Sequence, residues 1–110
     1  MSKYGAVKTM VDGHCFASKG EAGRYRELEI LMSAHQINDL RLQVVYDLAP
    51  AVMILGRRRP PLRYVADFVY MRYGREVVED FKGVRTEGYR IKRHLMKAIH
   101  GIDIYETGAK

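Results

Sequence analysis

The sequence predicts an α/β domain: a mixed central β-sheet between two helices, with a β-hairpin ahead of them. Three observations carry this. Alternating or β-branched runs recur through the middle of the chain, a capped helical segment lies on either side of them, and Gly or Pro punctuates the joints. With 110 residues, the chain suits a single domain, 1–110, with one modest core. A hydrophobic content of 47% with 29% charged residues is that of a globular chain and not of a disordered one.

In "KTMVDGHCF", Asp12-Gly13 separates two short β-like runs and reads as a two-residue hairpin turn. In "SKGEAGRYRELEILMSAH", Ala22, Tyr25, Leu28, Leu31 and Met32 recur at helical spacing. Ser18 is a natural N-cap there, and Glu21 three positions on completes a capping box. Gly20 and Gly23 weaken this helix.

Residues 40–48 (LRLQVVYDL) alternate, which places Leu40, Leu42, Val44, Tyr46 and Leu48 on one strand face and Gln43 on the other. Pro50 ends that run, and "AVMIL" is a second short β-like piece. "GRRRPP" (56–61) reads as a turn or exposed loop, because Gly and two prolines interrupt a ladder. Two strands follow at about 62–71 and 75–82, joined at Tyr73-Gly74, with Gly83 ending the second. A second helix starts at Thr86 with Ile91, Leu95, Ala98 and Ile99 as its buried stripe, and it stops at Gly101. "IDIY" (102–105) reads as a last short strand.

The charge balance narrows the partners. Nineteen Lys and Arg against 13 Asp and Glu give a formal charge of +6, which favours a polyanion such as DNA. No apolar run approaches the roughly 20 residues of a bilayer span, and the N-terminus lacks the apolar core of a signal peptide. A single cysteine, Cys15, leaves no internal disulfide framework and fits a reducing cytoplasm; it reads as a small packing residue. The four histidines show no zinc spacing with Cys15, and no Gly-rich phosphate loop is present.

The chemistry concentrates in "YVADF" and "VVEDFKG". Side chains two apart on a strand share a face, so Asp80 and Lys82 point together while Glu79 points away with Phe81. If the two strands are neighbours, Asp67 comes within reach of Asp80. Two carboxylates repel, and a divalent cation between them removes that penalty. Mg²⁺ takes a few carboxylates with waters and phosphate oxygens, and a lysine beside it orients a water or stabilises charge on phosphate. The competing arrangement is structural: both aspartates paired with Lys82 or nearby arginines in a salt-bridge cluster.

The pattern resembles the PD-(D/E)XK nuclease superfamily, with Asp67 as first acid (after Ala66 in place of the eponymous proline) and Asp80 and Lys82 as the second acid and lysine. More narrowly, "SKYGAVKT", "DGHCFASKGEAGRYREL", "DLRLQ", "YVADF", "VVEDFKG" and "GYRIKRHLM", in order over residues 2–105, resemble short phage and prophage proteins of that superfamily. The first helix is also similar to that of the end-cutting nuclease subunit of some transposons. The resemblance implies a restriction-endonuclease-like core and a Mg²⁺-dependent DNA endonuclease, with Mn²⁺ able to substitute, acting in the bacterial host cytoplasm. Branched or junction DNA, as for a Holliday junction resolvase, and a homodimer making two cuts are its further expectations.

By the same resemblance, Asp67, Asp80, the Phe81 carbonyl and Glu21 would hold the metal, and Lys82 would position the attacking water. Glu21 has the helix cap as its alternative role. Gln43 would hold substrate or a metal-bound water, or is simply an exposed polar strand residue. Lys92 would approach the scissile phosphate, or lies on a solvated helix face, and Tyr89 packs in the core or stacks on a base, packing being the preferred reading. Arg57, Arg58 and Arg59 are either a clamp on the DNA backbone or an exposed charge run. The alternative function is a nuclease fold that only binds DNA, as a virion component or a partner-dependent subunit.

Overall fold

The computed structural model describes residues 7–82 and 84–108. Along the chain these form β1 (Thr9–Val11), β2 (His14–Phe16), α1 (Lys19–Ser33), β3 (Asn38–Ala49), β4 (Val52–Ile54), β5 (Arg57–Arg59), β6 (Leu62–Arg72), β7 (Arg75–Phe81), α2 (Glu87–His100) and β8 (Tyr105–Thr107). Gly83 and the start of "SKYGAVKT" lie outside the described residues.

The central sheet has the order β3-β6-β7-β8. Its first three strands are antiparallel, and β8 runs parallel to β7. That last pairing requires a crossover, which α2 supplies. The helices cover opposite faces. Ala22, Tyr25 and Leu28 of α1 pack with Phe68 and Tyr70, whereas Tyr89 and Met96 of α2 pack with Tyr64, Ala66, Val69 and Val78. The chain is thus a mixed α/β fold with a mixed sheet between two helices. No described helix is long and apolar enough to cross a membrane.

The hairpins form as expected at Asp12-Gly13 and Tyr73-Gly74, where both turn residues are left-handed, with φ of 51° and 79° in the first and 52° and 74° in the second. The first helix begins where its cap predicts: Ser18 Oγ accepts the Glu21 N–H at 3.1 Å. Met32 and Cys15, both read as packing residues, are exposed.

Four other expectations need correcting. The five alternating residues of β3 do not share one face. Leu40 and Leu42 pack with the α1-side cluster, and Val44, Tyr46 and Leu48 with the α2-side cluster. The cause is Gln43, which sits mid-strand at φ 54° and breaks the regular pleat. β6 changes sides at the same level, with Ala66 towards α2 and Phe68 towards α1, so both strands switch faces together. The stripe on α2 is rotated: Tyr89 and Met96 are buried, Leu95 is half-buried, and Ile91, Ala98 and Ile99 are exposed. Tyr89 wins because its ring is buried while its hydroxyl reaches Glu106 at 2.5 Å. Arg57–Arg59 are a strand paired with β4 and not a loop, because the chain turns at Leu55-Gly56 and the prolines come only afterwards. Finally, Ile102 and Ile104 pack against the α2-side core ahead of β8, which begins only at Tyr105.

Candidate functional site

β6 and β7 pair from Arg72↔Arg75 as far as Phe68↔Glu79. The next position on each strand is an aspartate, Asp67 and Asp80. There the Asp67 carboxylate accepts the Phe81 backbone N–H at 2.8 Å, replacing a ladder bond with a side-chain one. Gln43 lies across from Asp67, between the registered pairs Leu42↔Phe68 and Val44↔Ala66, but it is exposed.

Asp80 is 2% exposed. Its Oδ2 accepts the Tyr64 hydroxyl at 2.5 Å. Lys82 Nζ stands 3.3 Å from Oδ1, yet it is not directed as a hydrogen bond, and Oδ1 is a buried acceptor without a donor among the described residues. Such an atom is costly unless something else completes it. Lys82 itself is held over the Tyr89 ring, 4.5 Å from its centroid.

Glu21 reaches this cluster from α1, and Gly20 explains how. A Cβ on Gly20 would stand 2.7 Å from Cζ of the Phe81 ring, so glycine lets the start of α1 close onto β7. Glu21 is 7% exposed. Burial raises its carboxyl pKa, Asp80 raises it further, and Lys82 partly offsets both. Its backbone N–H serves the Ser18 cap, its carboxyl makes no return bond to Ser18 among the described residues, and that carboxyl is buried near Asp80 and Lys82. Asp67 feels the same crowding: burial, then Asp80 and Glu21, push its carboxyl up to about 8 against the pull of the Phe81 N–H.

The other sequestered carboxylates are treated differently. Glu79, fully buried, receives Arg24 Nε at 2.7 Å and Nη2 at 3.0 Å, Tyr70 at 2.7 Å and Thr107 at 2.8 Å. Glu106 receives Arg85 at 2.8 Å, Arg93 at 2.9 Å and the Tyr89 hydroxyl. Among the described residues no arginine pairs with Asp67, Asp80 or Glu21. The salt-bridge arrangement is therefore met only by Lys82 with Asp80.

A cavity of about 350 Å³ opens beside Asp80, lined among others by Tyr64, Lys82, Thr86, Tyr89 and Lys92. Lys92 thus shares the cavity with Asp80 and Lys82, whereas Asp67, Glu21 and Phe81 are not in its lining, and Arg57, Arg58 and Arg59 lie exposed on the β4–β5 hairpin. No three His, Cys, Asp or Glu side chains among the described residues stand as a group able to hold an ion alone. The oxygen donors that come together are the carboxylates of Asp67 and Asp80, with that of Glu21 nearby. They suit a hard divalent cation that keeps waters or takes phosphate oxygens.

Sequence reasoning missed Tyr64, the direct donor to Asp80. Strict alternation puts a residue three before Asp67 on the opposite face, and only the switch of faces at Asp67 returns both to one site. It also missed the Glu79 network, whose only sequence signal was an acid inside an apolar strand.

Over residues 1–105 the chain matches the family described as "Protein of unknown function (DUF1064)", and it belongs to that family. No curated protein and no solved structure is significantly similar to it.

Proposed function

We propose that the chain is a metal-dependent DNA endonuclease with a restriction-endonuclease-like, PD-(D/E)XK core, hydrolysing phosphodiester bonds in phage or prophage DNA metabolism. One observation carries this reading. Arg24 pairs with Glu79, and Arg85 and Arg93 pair with Glu106, while Asp67 and Asp80 lie side by side with Glu21 nearby and only Lys82 paired among them. Asp80 Oδ1 is buried with no directed hydrogen bond among the described residues, and its charged neighbour is Lys82 at 3.3 Å, which supports a place for a cation there. A chain of formal charge +6 supports a polyanionic substrate.

The residues fit a divalent cation such as Mg²⁺, with Mn²⁺ as substitute. Asp80 Oδ1, the Asp67 carboxylate and the Phe81 carbonyl would hold it, and Glu21 would support it directly or through water. When bound, it supplies Lewis-acid stabilisation of the phosphate and acidifies a bound water. Tyr64 donates to Oδ2 and so fixes the carboxylate, with Oδ1 turned to the Lys82 side. The Lys82 ammonium, positioned by Asp80 and the Tyr89 ring, orients the attacking water and meets the charge that grows on the phosphate oxygens. Lys92, at the cavity wall, neutralises the substrate backbone. The water oxygen would form the new P–O bond as one ester P–O bond breaks, the water's proton passing to solvent and the leaving oxygen taking a proton from solvent water.

The test is cleavage of duplex, single-stranded, flap and four-way-junction DNA by the purified chain, with Mg²⁺, Mn²⁺ or EDTA. Cutting of at least one form in metal and of none in EDTA is expected. Salt-sensitive binding with no cutting of any form would contradict the proposal and favour a nuclease fold that only binds DNA.

A further inference from the structure

The β4–β5 hairpin continues the β3–β6 pair past Ala49↔Leu62 as a separate arm. All three prolines of the chain, Pro50, Pro60 and Pro61, sit at its base and restrict how it can swing. No residue of β4 or β5 joins either hydrophobic cluster.

Its composition is unusual for a free hairpin. Val52, Met53, Ile54 and Leu55 are 47%, 66%, 52% and 98% exposed. Leu55 also occupies the first turn position at φ 52°, a left-handed conformation that Asn, Asp or Gly takes more readily. The hairpin before α1 uses Asp12 at that position, and the β6–β7 hairpin uses Tyr73, 80% exposed at φ 52° but flanked by core strands. Leu55 is strained and unshielded at the end of a run of four exposed apolar residues on an arm without core contacts, and that run points to a partner.

The arginines say which kind. In the register Val52↔Arg59, Met53↔Arg58 and Ile54↔Arg57, each apolar residue faces an arginine. Arg57, Arg58 and Arg59 make no ion pair among the described residues. A surface that is apolar at its tip and cationic along both faces complements a polymer with phosphates outside and apolar base faces inside. Those base faces are reachable only where stacking is opened. β6 then leads from Leu62, at the arm's base, to Asp67, a strand distance of about 17 Å at the usual rise.

We propose that this arm is a wedge for DNA whose stacking is interrupted, as at a branch point, nick or mismatch. Arg57, Arg58 and Arg59 hold the flanking phosphates while Leu55 enters the opened step with Ile54 and Met53 behind it. This rests on DNA being the substrate and not on hydrolysis.

The experiment uses the whole chain in EDTA, a four-way junction with 2-aminopurine at the branch, and a matching continuous duplex. Wild-type protein prefers the junction and raises the fluorescence as the base unstacks. Leu55→Asn, which keeps a residue suited to the turn, loses the fluorescence rise and the preference, with duplex affinity within about twofold. Arg57→Gln/Arg58→Gln/Arg59→Gln weakens binding to both DNAs and flattens the slope of log affinity against log salt by roughly 2 to 3.

Unchanged fluorescence and preference in Leu55→Asn, or unchanged affinity in the triple variant, overturns the wedge. So does a loss of self-association or of binding to anionic vesicles by Leu55→Asn with DNA binding intact. Cleavage in Mg²⁺ that proceeds with arm-independent binding removes the wedge alone. Arm-dependent binding without cleavage removes only the nuclease, and no binding of any DNA by wild-type protein overturns both.

Discussion

The Asp67 carboxylate accepts the Phe81 backbone N–H at 2.8 Å, Asp67 lying one position and Phe81 two positions beyond the last registered pair of β6 and β7. A first acid is thereby tied to the strand that carries the second acid and the lysine. The same bond makes Asp67 a structural acceptor as well as a candidate ligand, and substitutions separate the two roles. Asp67→Asn keeps an oxygen for the Phe81 N–H and removes a charge from beside Asp80 and Glu21. We expect metal-free Asp67→Asn protein to be at least as stable as wild type at pH 8 in thermal unfolding, while metal-dependent cleavage is lost. Asp67→Ala leaves the N–H unpaired and lowers stability by about 1–3 kcal/mol.

The raised carboxyl of Asp67 sets a pH dependence. Burial, Asp80 and Glu21 lift it from 3.8 to about 8, so the folded state holds its proton more tightly than the unfolded chain does. The resulting stabilisation is complete below the unfolded value and is lost as pH rises through about 8. Glu106 has the opposite sign. Burial pushes it up, but bonds from Tyr89, Arg85 and Arg93 hold it at about 2, so its contribution is lost only as pH falls below the ordinary carboxylate range. Thermal midpoints in EDTA should therefore fall between about pH 5 and pH 8.5. Millimolar Mg²⁺ should restore them chiefly at the upper end, where it no longer competes with a proton. A midpoint that rises with pH in EDTA would contradict this origin of the shift.

Glu79 is the internal control. It holds four hydrogen bonds from Arg24, Tyr70 and Thr107 and no part of the cavity beside Asp80. Glu79→Ala strands Arg24 and two hydroxyls, and urea unfolding should show a loss of about 3–5 kcal/mol. Asp80→Ala, which removes one ion pair and one hydroxyl contact, should cost less. The reverse ranking would mean that Asp80 is the structural acid.

Gly20 links fold and site. Because a Cβ there would meet the Phe81 ring at 2.7 Å, Gly20→Ala must push α1 from β7 or displace the ring. A loss of about 1–3 kcal/mol is expected. Cleavage should fall by more than that loss explains, since Glu21 and Phe81 both move. Gly23→Ala, with nothing within 4 Å of its added Cβ, should be neutral or stabilising by about 1 kcal/mol, and it checks that the effect belongs to position 20.

Much of this was legible because it follows from short-range rules. Asp12-Gly13, Tyr73-Gly74 and the Ser18 cap are local turn and capping chemistry. The placing of Asp80 with Lys82, and of Glu79 with Phe81, needed only the two-residue period of an unbroken strand. What failed was whatever depended on a break in that period. Nothing in Gln43 as a residue type announces a left-handed backbone in mid-strand, so the change of face at Gln43 and Asp67 was invisible, and Tyr64 with it. On α2, Tyr89 reads from the sequence as a packing residue, which its burial bears out, whereas Ile91 and Ile99, placed in the buried stripe, are exposed. The choice was made by Glu106, 17 residues away in sequence, which gives the tyrosine hydroxyl a partner.

The most direct test of the central claim is single-turnover cleavage in Mg²⁺ by wild type and Asp80→Ala, each first shown to be folded and to bind the same DNA. The expected result is cutting by wild type and loss of cutting, by at least about 100-fold, in Asp80→Ala with DNA binding retained. Cleavage at the wild-type rate by folded Asp80→Ala would contradict the assignment of Asp67, Asp80 and Lys82 as the hydrolytic centre.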